Sequence, residues 1–145
     1  MKKVLLMLVL VFAAQLGMAQ DTKQEALKYL KASGMESAFT EMKNQINAMV
    51  PADKQADFSK EIDAAVNDFY NKQADVLVKY YDVKTIQSAI KKSEETKAPA
   101  QLDPLEGDKL VQLQKDSEAA GEDFGLTVQG LVMKYVPEEM LQGEE

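Results

Sequence analysis

The fold is most clearly encoded in residues 35–49, which read MESAFTEMKNQINAM. Apolar side chains recur there at alternating intervals of four and three residues, the period that keeps them on one side of an α-helix. Polar side chains fill the other positions, so only one face of the helix is suited to a protein core. The stretch therefore predicts an amphipathic helix that ends before Pro51. The apolar residues are Met35, Phe39, Met42, Ile46 and Met49.

Helical patterns continue on both sides of this stretch. Thr22 and Glu25 have the spacing of a capping box, which predicts a first helix that ends at Gly34. After Pro51, apolar residues recur at helical spacing as far as Tyr80. This pattern predicts either one long helix or two helices joined by a bend near residues 71–74.

A shorter helix and a loop follow. Asp82 is placed to cap a helix that carries Val83, Ile86 and Ile90. Residues 98–104 contain two prolines and predict the clearest loop of the chain. We find no internal repeat and no second domain.

The last predicted helix runs from Pro104 or Leu105 to Val136 and is the longest, so we expect it to be the packing spine. Each glycine inside this helix costs about 1 kcal/mol relative to alanine, which favours a close approach by a neighbouring helix at these positions. We therefore expect an all-α fold, a compact bundle of about four to five helices with a long C-terminal helix. The glycines are Gly121, Gly125 and Gly130, and the predicted buried stripe is Leu110, Leu113, Ala120, Phe124, Leu131 and Tyr135.

Residues 1–19 have the anatomy of a cleaved secretory signal peptide: two lysines, an apolar run, and small residues before Gln20. The apolar run is about half of the ~20 residues needed to cross a bilayer, which disfavours a permanent membrane anchor. Cleavage would leave a single helical domain over residues 20–137 and an acidic tail over residues 138–145 that we expect to be flexible. The predicted destination is the periplasm, with release outside the cell as the alternative.

Composition excludes several kinds of chemistry. The chain of 145 residues has no His, Cys or Trp, and all 17 basic residues are Lys. It therefore lacks a thiolate nucleophile, a histidine general base, disulfides and the usual zinc or copper ligands. Without the two lysines of the signal peptide, 15 Lys remain against 24 Asp and Glu, a net charge of about −9. Such a surface repels nucleic acid, so we expect no nucleic-acid partner.

Three acidic residues, Asp103, Glu106 and Asp108, lie close together in the loop before the last helix. Three carboxylates could hold calcium, but their spacing is not that of an EF-hand. The favoured interpretation is a turn whose acids lie at the N-terminus of a helix. Adjacent acids elsewhere, such as Glu94 and Glu95, are typical of solvated helix faces. We therefore assign no catalytic, cofactor-binding or metal-binding residue, and no cofactor.

Several short motifs occur in an order that resembles a known family. They are Ala32-Ser33-Gly34, Met49-Val50-Pro51, Tyr81-Asp82-Val83-Lys84-Thr85-Ile86 and Asp103-Pro104-Leu105-Glu106-Gly107-Asp108-Lys109-Leu110. Together they resemble the secreted bacterial family named domain of unknown function twenty fifty-nine. The resemblance implies an all-helical envelope protein of a Gram-negative bacterium, with no assigned activity.

The function we expect is that of a non-catalytic accessory or protein-interaction domain of the bacterial cell envelope. The alternative is a carrier or sensor of a small apolar ligand held between helices, with Phe39, Met42 and Met49 as lining. The same methionine stripe is also what the core face of an amphipathic helix requires, and this interpretation is favoured. The expected partner is thus an unidentified protein or a small apolar ligand, and an enzyme is the least favoured class.

Overall fold

The computed structural model describes residues 21–141, which contain helices and loops but no β-strand. The predicted all-α fold and its long C-terminal helix are confirmed. The predicted signal peptide, its predicted cleavage site and residues 142–145 lie outside the described residues. Five of the described helices are longer than two turns, and the sixth is a single turn that lies within the predicted tail. The helices are α1 (residues 21–32), α2 (Met35–Met49), α3 (Gln55–Tyr80), α4 (Val83–Thr96), α5 (Gly107–Tyr135) and α6 (Glu138–Leu141).

Helix α3 is the central element of the fold. Its 26 residues run unbroken through residues 71–74, so the sequence pattern encodes one helix about 39 Å long and not two. Its most extensive contact is with α5. Eight of its side chains are buried, on more than one side of the helix, because neighbours cover it from several directions: Phe58, Ile62, Val66, Phe69, Tyr70, Ala74, Val76 and Leu77.

Helices α1 and α2 follow one another along α3 and run antiparallel to it. Lys23, near the start of α1, pairs with Asp75 of α3 at 2.8 Å. Lys31, near the end of α1, lines the same concavity as Asn67, which precedes Asp75 by eight residues in α3. In α2, Lys43 pairs with Asp63 at 2.6 Å. The two helices together therefore cover α3 over most of its length.

A left-handed residue separates α1 from α2. Gly34 has φ +89°, a conformation that side chains with a Cβ rarely adopt, and it confirms the predicted end of the first helix. The predicted capping box at the other end of α1 is wrong. The helix already includes residue 21, so Thr22 lies inside it and not at its N-cap.

The buried side chains form two clusters at the two ends of α3. One cluster joins α1, α3 and α4 and includes Ala26, Ala74 and Ile86, each of which is fully buried. The other joins α2, α3 and α5 around Phe58 and Tyr135, whose ring centroids are 5.8 Å apart. The predicted core role of the methionine stripe is confirmed, because its members pack against these clusters: Met35 and Met42 on the first, and Met42 and Met49 on the second.

The loop that connects α4 to α5 packs against the end of α1. The amide of Ala100 donates to the carbonyl of Ala32 at 2.9 Å, and the amide of Leu102 donates to the hydroxyl of Tyr29 at 3.3 Å. At the start of α4, the predicted cap is confirmed, because the Asp82 carboxylate accepts the Thr85 amide at 2.8 Å.

Helix α5 begins later than the sequence suggested. Pro104 and Leu105 remain in the loop, and the helix starts at Gly107. The φ of Gly107 is +60°, a left-handed conformation at the junction of loop and helix. The predicted end is confirmed: α5 stops at Tyr135, two residues before Pro137.

The close helix approach predicted at the glycines of α5 is wrong. A Cβ built on Gly121, Gly125 or Gly130 would meet no heavy atom of another element within 4 Å. Gly125 and Gly130 are also exposed. These glycines therefore do not serve a contact between the described helices.

Candidate functional site

Three solvent-exposed ion pairs join α5 to α3 along the edge of their contact. Lys134 pairs with Glu61 at 2.7 Å, Asp123 with Lys72, and Asp116 with Lys79 at 3.2 Å. Moving from one pair to the next, the residue number rises by 11 and then 7 in α3 and falls by the same steps in α5. Steps of 11 and 7 residues return to the same side of a helix. The two helices are therefore antiparallel and stay in one register over about five turns.

A tyrosine adds a hydrogen bond to the first and the last of these ion pairs, Lys134–Glu61 and Lys79–Asp116. The Tyr80 hydroxyl donates to Asp116 at 3.0 Å, and the Tyr135 hydroxyl donates to Glu61 at 2.7 Å. In each case a Lys-Tyr dipeptide at the C-terminal end of one helix holds a carboxylate of the other helix. Hydrogen bonds from the lysine and the tyrosine lower the pKa of both carboxyl groups.

These contacts reveal a short repeat that the sequence analysis missed. Asp68-Phe69 and Lys79-Tyr80 of α3 recur 55 residues later as Asp123-Phe124 and Lys134-Tyr135 of α5. The two phenylalanines of the repeat contact each other, with ring centroids 5.0 Å apart. The prediction that the chain has no internal repeat is therefore wrong. The repeat was missed because its few identical residues are separated by unrelated ones.

The one place where two carboxylates converge in these ion pairs is occupied by an ammonium group. Lys72 bridges Asp68 and Asp123, and its hydrogen bonds with Asp123 and Asp68 raise the pKa of Lys72 to about 12. Both aspartates are more than half exposed. Both acids share one ammonium group and are accessible to water, an arrangement that suits an ion pair and not a general acid.

The acidic loop does not assemble a metal site in the described structure. Asp103 is exposed, and its carbonyl oxygen, not its carboxylate, accepts the Tyr81 hydroxyl at 2.9 Å. Glu106 occupies the N-cap of α5, and Asp108 lies in its first turn. Among residues 21–141 there is no group of three or more acids that could hold a metal ion. The positions of Glu106 and Asp108 match the predicted turn, whose acids lie at the N-terminus of a helix.

The side chains proposed to line an apolar ligand site are packed against protein. The Phe39 ring contacts the rings of Phe69, Tyr70 and Phe124 edge to face, each at 5.4 Å between centroids. Three rings thus occupy the space around Phe39 that a ligand would need.

The outer face of α5 carries a second apolar row, which the sequence analysis did not identify. Val111 is 61% exposed, Leu126 63% and Met133 71%. Ala119 and Gly130 are exposed on the same helix, and Met140 of the separate helix α6 is 54% exposed. Ala119, Leu126 and Met133 are seven residues apart within α5, a spacing visible in the sequence. We call the residues Val111, Ala119, Leu126 and Met133 the outer row.

The charges around the outer row are mostly negative. Glu118, Glu122, Glu138 and Glu139 are exposed and form no ion pair with another described residue, against two such lysines, Lys109 and Lys115. The neighbouring Asp116, Asp123 and Lys134 are already paired with α3. The surface is therefore apolar along its centre and acidic on its flanks.

Comparison of the chain with protein families, curated proteins and solved structures finds no match. The resemblance described above stays a prediction. Within the described part of the chain, no helix has both the length and the apolar character needed to span a membrane.

Proposed function

We propose that this chain is a non-catalytic protein-interaction domain of the bacterial cell envelope, and that the outer row of α5 is its binding surface. The observation that carries the proposal is the exposure of Leu126 and Met133, both above 60%, on a helix whose other face is already committed to the core. Apolar rows of this kind on a surface helix are typical of protein docking sites. Export to the envelope rests on the predicted signal peptide.

The flanking charges indicate what kind of partner would bind. Four unpaired glutamates against two lysines favour a partner whose apolar contact is bordered by lysine or arginine. Such a partner would be attracted at long range, whereas a second copy of this acidic chain would be repelled. We therefore propose a basic protein segment, an amphipathic helix or a similarly narrow apolar ridge, as the occupant.

Two further observations support a non-catalytic role. The carboxylates with lowered pKa, Glu61 and Asp116, are used in ion pairs between helices. Asp82, whose pKa is lowered mainly by the Thr85 amide, caps a helix. The perturbed acids therefore have structural partners that account for their shifts.

The test is capture of partners from envelope extract with tagged protein, comparing the unchanged chain with the double variant Leu126→Gln/Met133→Gln. A matched control, Ala38→Gln/Ala48→Gln, changes two exposed positions of α2. We expect the first variant to lose a specific partner by about tenfold or more, because two apolar contacts are removed, and the control to retain it.

Salt provides the second arm. Binding to a basic partner should weaken as the salt concentration rises from about 50 mM to about 500 mM. A partner retained equally by the Leu126→Gln/Met133→Gln variant would contradict the assignment of the surface, and salt-independent binding would contradict the assignment of the partner's charge. Circular dichroism of all variants should match, since every changed side chain is exposed.

A further inference from the structure

A groove of about 420 Å³ lies between α4 and the loop that connects α4 to α5. One wall is formed by α4 from its N-cap to residue 92, and the other by residues 101–103 of the loop. The volume is within the range of small-molecule sites, about 300–1,000 Å³. No member of the outer row lines this groove, so it is separate from the proposed protein-binding surface.

The loop runs antiparallel to α4. The Ser93 hydroxyl, near the end of α4, donates to the Ala98 carbonyl at 2.5 Å, and the Tyr81 hydroxyl, before its start, donates to the Asp103 carbonyl at 2.9 Å. From Tyr81 to Ser93 the helical rise is about 18 Å. From Ala98 to Asp103 an extended chain spans about 17 Å. The two lengths agree, so the loop is an extended segment that lies alongside most of α4.

The loop wall is held in place from behind by α1. The backbone amides of Ala100 and Leu102 donate to groups of α1 at 2.9 and 3.3 Å. The alternate amides, those of Gln101 and Asp103, form no hydrogen bond with another residue of the described part of the chain. An extended segment with every second amide unused is suited to pairing with another extended backbone.

The two ends of the groove carry opposite unpaired charges. At the end near the start of α4, the Asp103 carboxylate forms no ion pair or hydrogen bond with another described residue. Asp82, at the same end, caps α4, where hydrogen bonds from Thr85 and, to a lesser extent, the charge of Lys84 lower its pKa. Lys92 lies toward the other end and has no ion pair among residues 21–141. The groove therefore offers one free carboxylate and one free ammonium, separated along its length.

The two walls set bounds on this separation. Gln101 lines both this groove and the next concavity together with Lys92, and it precedes Asp103 by two residues, about 7 Å in an extended chain. Along α4, the rise from Tyr81 to Lys92 is about 16 Å. An extended peptide of three residues spans about 10 Å, which lies between these bounds. Its free ends carry one ammonium and one carboxylate, the complement of the two charges.

We propose that this groove binds the backbone of a short peptide with free ends, of about three residues, with its amino terminus at Asp103 and its carboxylate at Lys92. Between the two ends, the loop amides, the Ser88 hydroxyl and the Gln101 side chain are available for the peptide groups, since none of them has a hydrogen-bond partner among the described residues. A ligand with a single charge leaves the opposite charge of the groove unmatched.

The experiment is titration of the isotopically labelled protein with trialanine up to about 100 mM, followed by amide chemical shifts. This range covers the millimolar affinities expected of a small ligand held by a few polar groups. We expect saturable shifts confined to residues 82–92 and 101–103. N-acetyl-trialanine, which lacks the ammonium, and trialanine amide, which lacks the carboxylate, should each bind about tenfold more weakly.

Substitutions assign the two ends of the ligand. Asp103→Asn and Lys92→Gln should each weaken the binding of trialanine by about tenfold, because each removes one charge-assisted hydrogen bond. Asp103→Asn should not weaken N-acetyl-trialanine further, and Lys92→Gln should not weaken trialanine amide further. The matched controls are Asp53→Asn and Lys60→Gln, two exposed residues without an ion pair in the described structure, and they should leave binding unchanged.

Several outcomes would overturn the proposal. They are the absence of saturable shifts with trialanine, equal binding of trialanine and either blocked form, and unchanged binding by the Asp103→Asn or Lys92→Gln variant. An equal loss in the control variants would show attraction to the surface charge in general. Further weakening of N-acetyl-trialanine by Asp103→Asn would contradict the placement of the amino terminus. Circular dichroism of all variants should match, since every changed side chain is exposed.

Discussion

At the scale of single residues, the chain uses lysine and tyrosine where other proteins use arginine. A lysine ammonium is a compact charge without the planar fork of a guanidinium, so it does not fix the direction of a carboxylate by itself. In two of the ion pairs between α3 and α5, those of Glu61 and Asp116, a neighbouring tyrosine hydroxyl supplies a second, directional hydrogen bond. The absence of Arg is visible in the composition, but this compensation became apparent only from the contacts.

The pH dependence of stability should reflect these carboxylates. The folded-state pKa values of Glu61 and Asp116 are lowered from 4.5 and 3.8, so their contribution is present above those values and is lost as the pH falls below them. The free energy of unfolding, measured with urea between about pH 6 and pH 3, should therefore decrease toward acid.

The double variant Glu61→Gln/Asp116→Asn should show a smaller decrease over the same pH range, because neither group can then titrate. Glu94→Gln/Glu95→Gln, two exposed acids of α4, is the control and should behave like the unchanged chain. An equally steep acid decrease in both variants would show that the two carboxylates do not contribute.

The acidic loop should behave as a turn and not as a calcium site. Single changes of Asp103, Glu106 or Asp108 to Ala should alter the free energy of unfolding by about 1 kcal/mol or less, as expected for surface positions without special contacts. Calcium at millimolar concentration should leave the thermal unfolding midpoint unchanged. A calcium-dependent rise that disappears in the Asp108→Ala variant would contradict this interpretation.

At the scale of helices, periodicity predicted what depends on one helix alone. The bounds of α2 and the cap at Asp82 follow from local sequence, and the structure confirms them. For residues 55–80 the pattern allowed one long helix or two, and the structure shows one. The capping box at Thr22 failed because residue 21 is already helical, which places Thr22 inside α1. The second apolar row of α5 was missed because the helix was assigned one buried stripe, and periodicity alone does not say which apolar residues are covered.

The glycines of α5 provide a test of helix propensity. Gly125→Ala and Gly130→Ala should each stabilise the protein by about 1 kcal/mol, because alanine is the better helix former and its Cβ meets open space. Urea unfolding of each single variant measures the change. Gly34→Ala is the opposite case and should destabilise by about 1 kcal/mol or more, since φ there is +89°.

Loss of stability in Gly125→Ala or Gly130→Ala would mean that a side chain there meets a neighbour after all. The protein-binding readout of the same variants is informative as well. Because Gly130 lies beside the outer row, a variant that is more stable but binds its partner less well would indicate that the partner approaches α5 closely.

At the scale of the whole molecule, the pairing of helices was beyond the sequence analysis. Amphipathic patterns show that a helix has a core face, but they do not determine which neighbour covers it or in which direction. The repeat of Asp-Phe and Lys-Tyr 55 residues apart was the available indication that α3 and α5 play equivalent roles. Its residues are too widely spaced to stand out before the contacts are known.

The antiparallel register of α3 and α5 can be measured with spin labels, since the chain has no native cysteine. Labels at Lys60 and Met133 should be close. Labels at Lys60 and Val111 should be clearly farther apart, because the 22 residues between the two α5 positions correspond to about 33 Å of rise along the helix. All three positions are exposed. Electron paramagnetic resonance distances in the reverse order would require parallel helices.

The central claim is that the outer row of α5 binds a protein in the cell envelope, and site-specific photo-cross-linking in living cells tests it most directly. A photoreactive residue would replace Leu126 or Met133 in turn, with Ala38 and Ala64 as exposed control positions on α2 and α3. We predict that Leu126 and Met133 yield the same discrete cross-linked product with a second, basic protein, and that the control positions do not. No product at Leu126 and Met133, or the same products at all four positions, would contradict the claim.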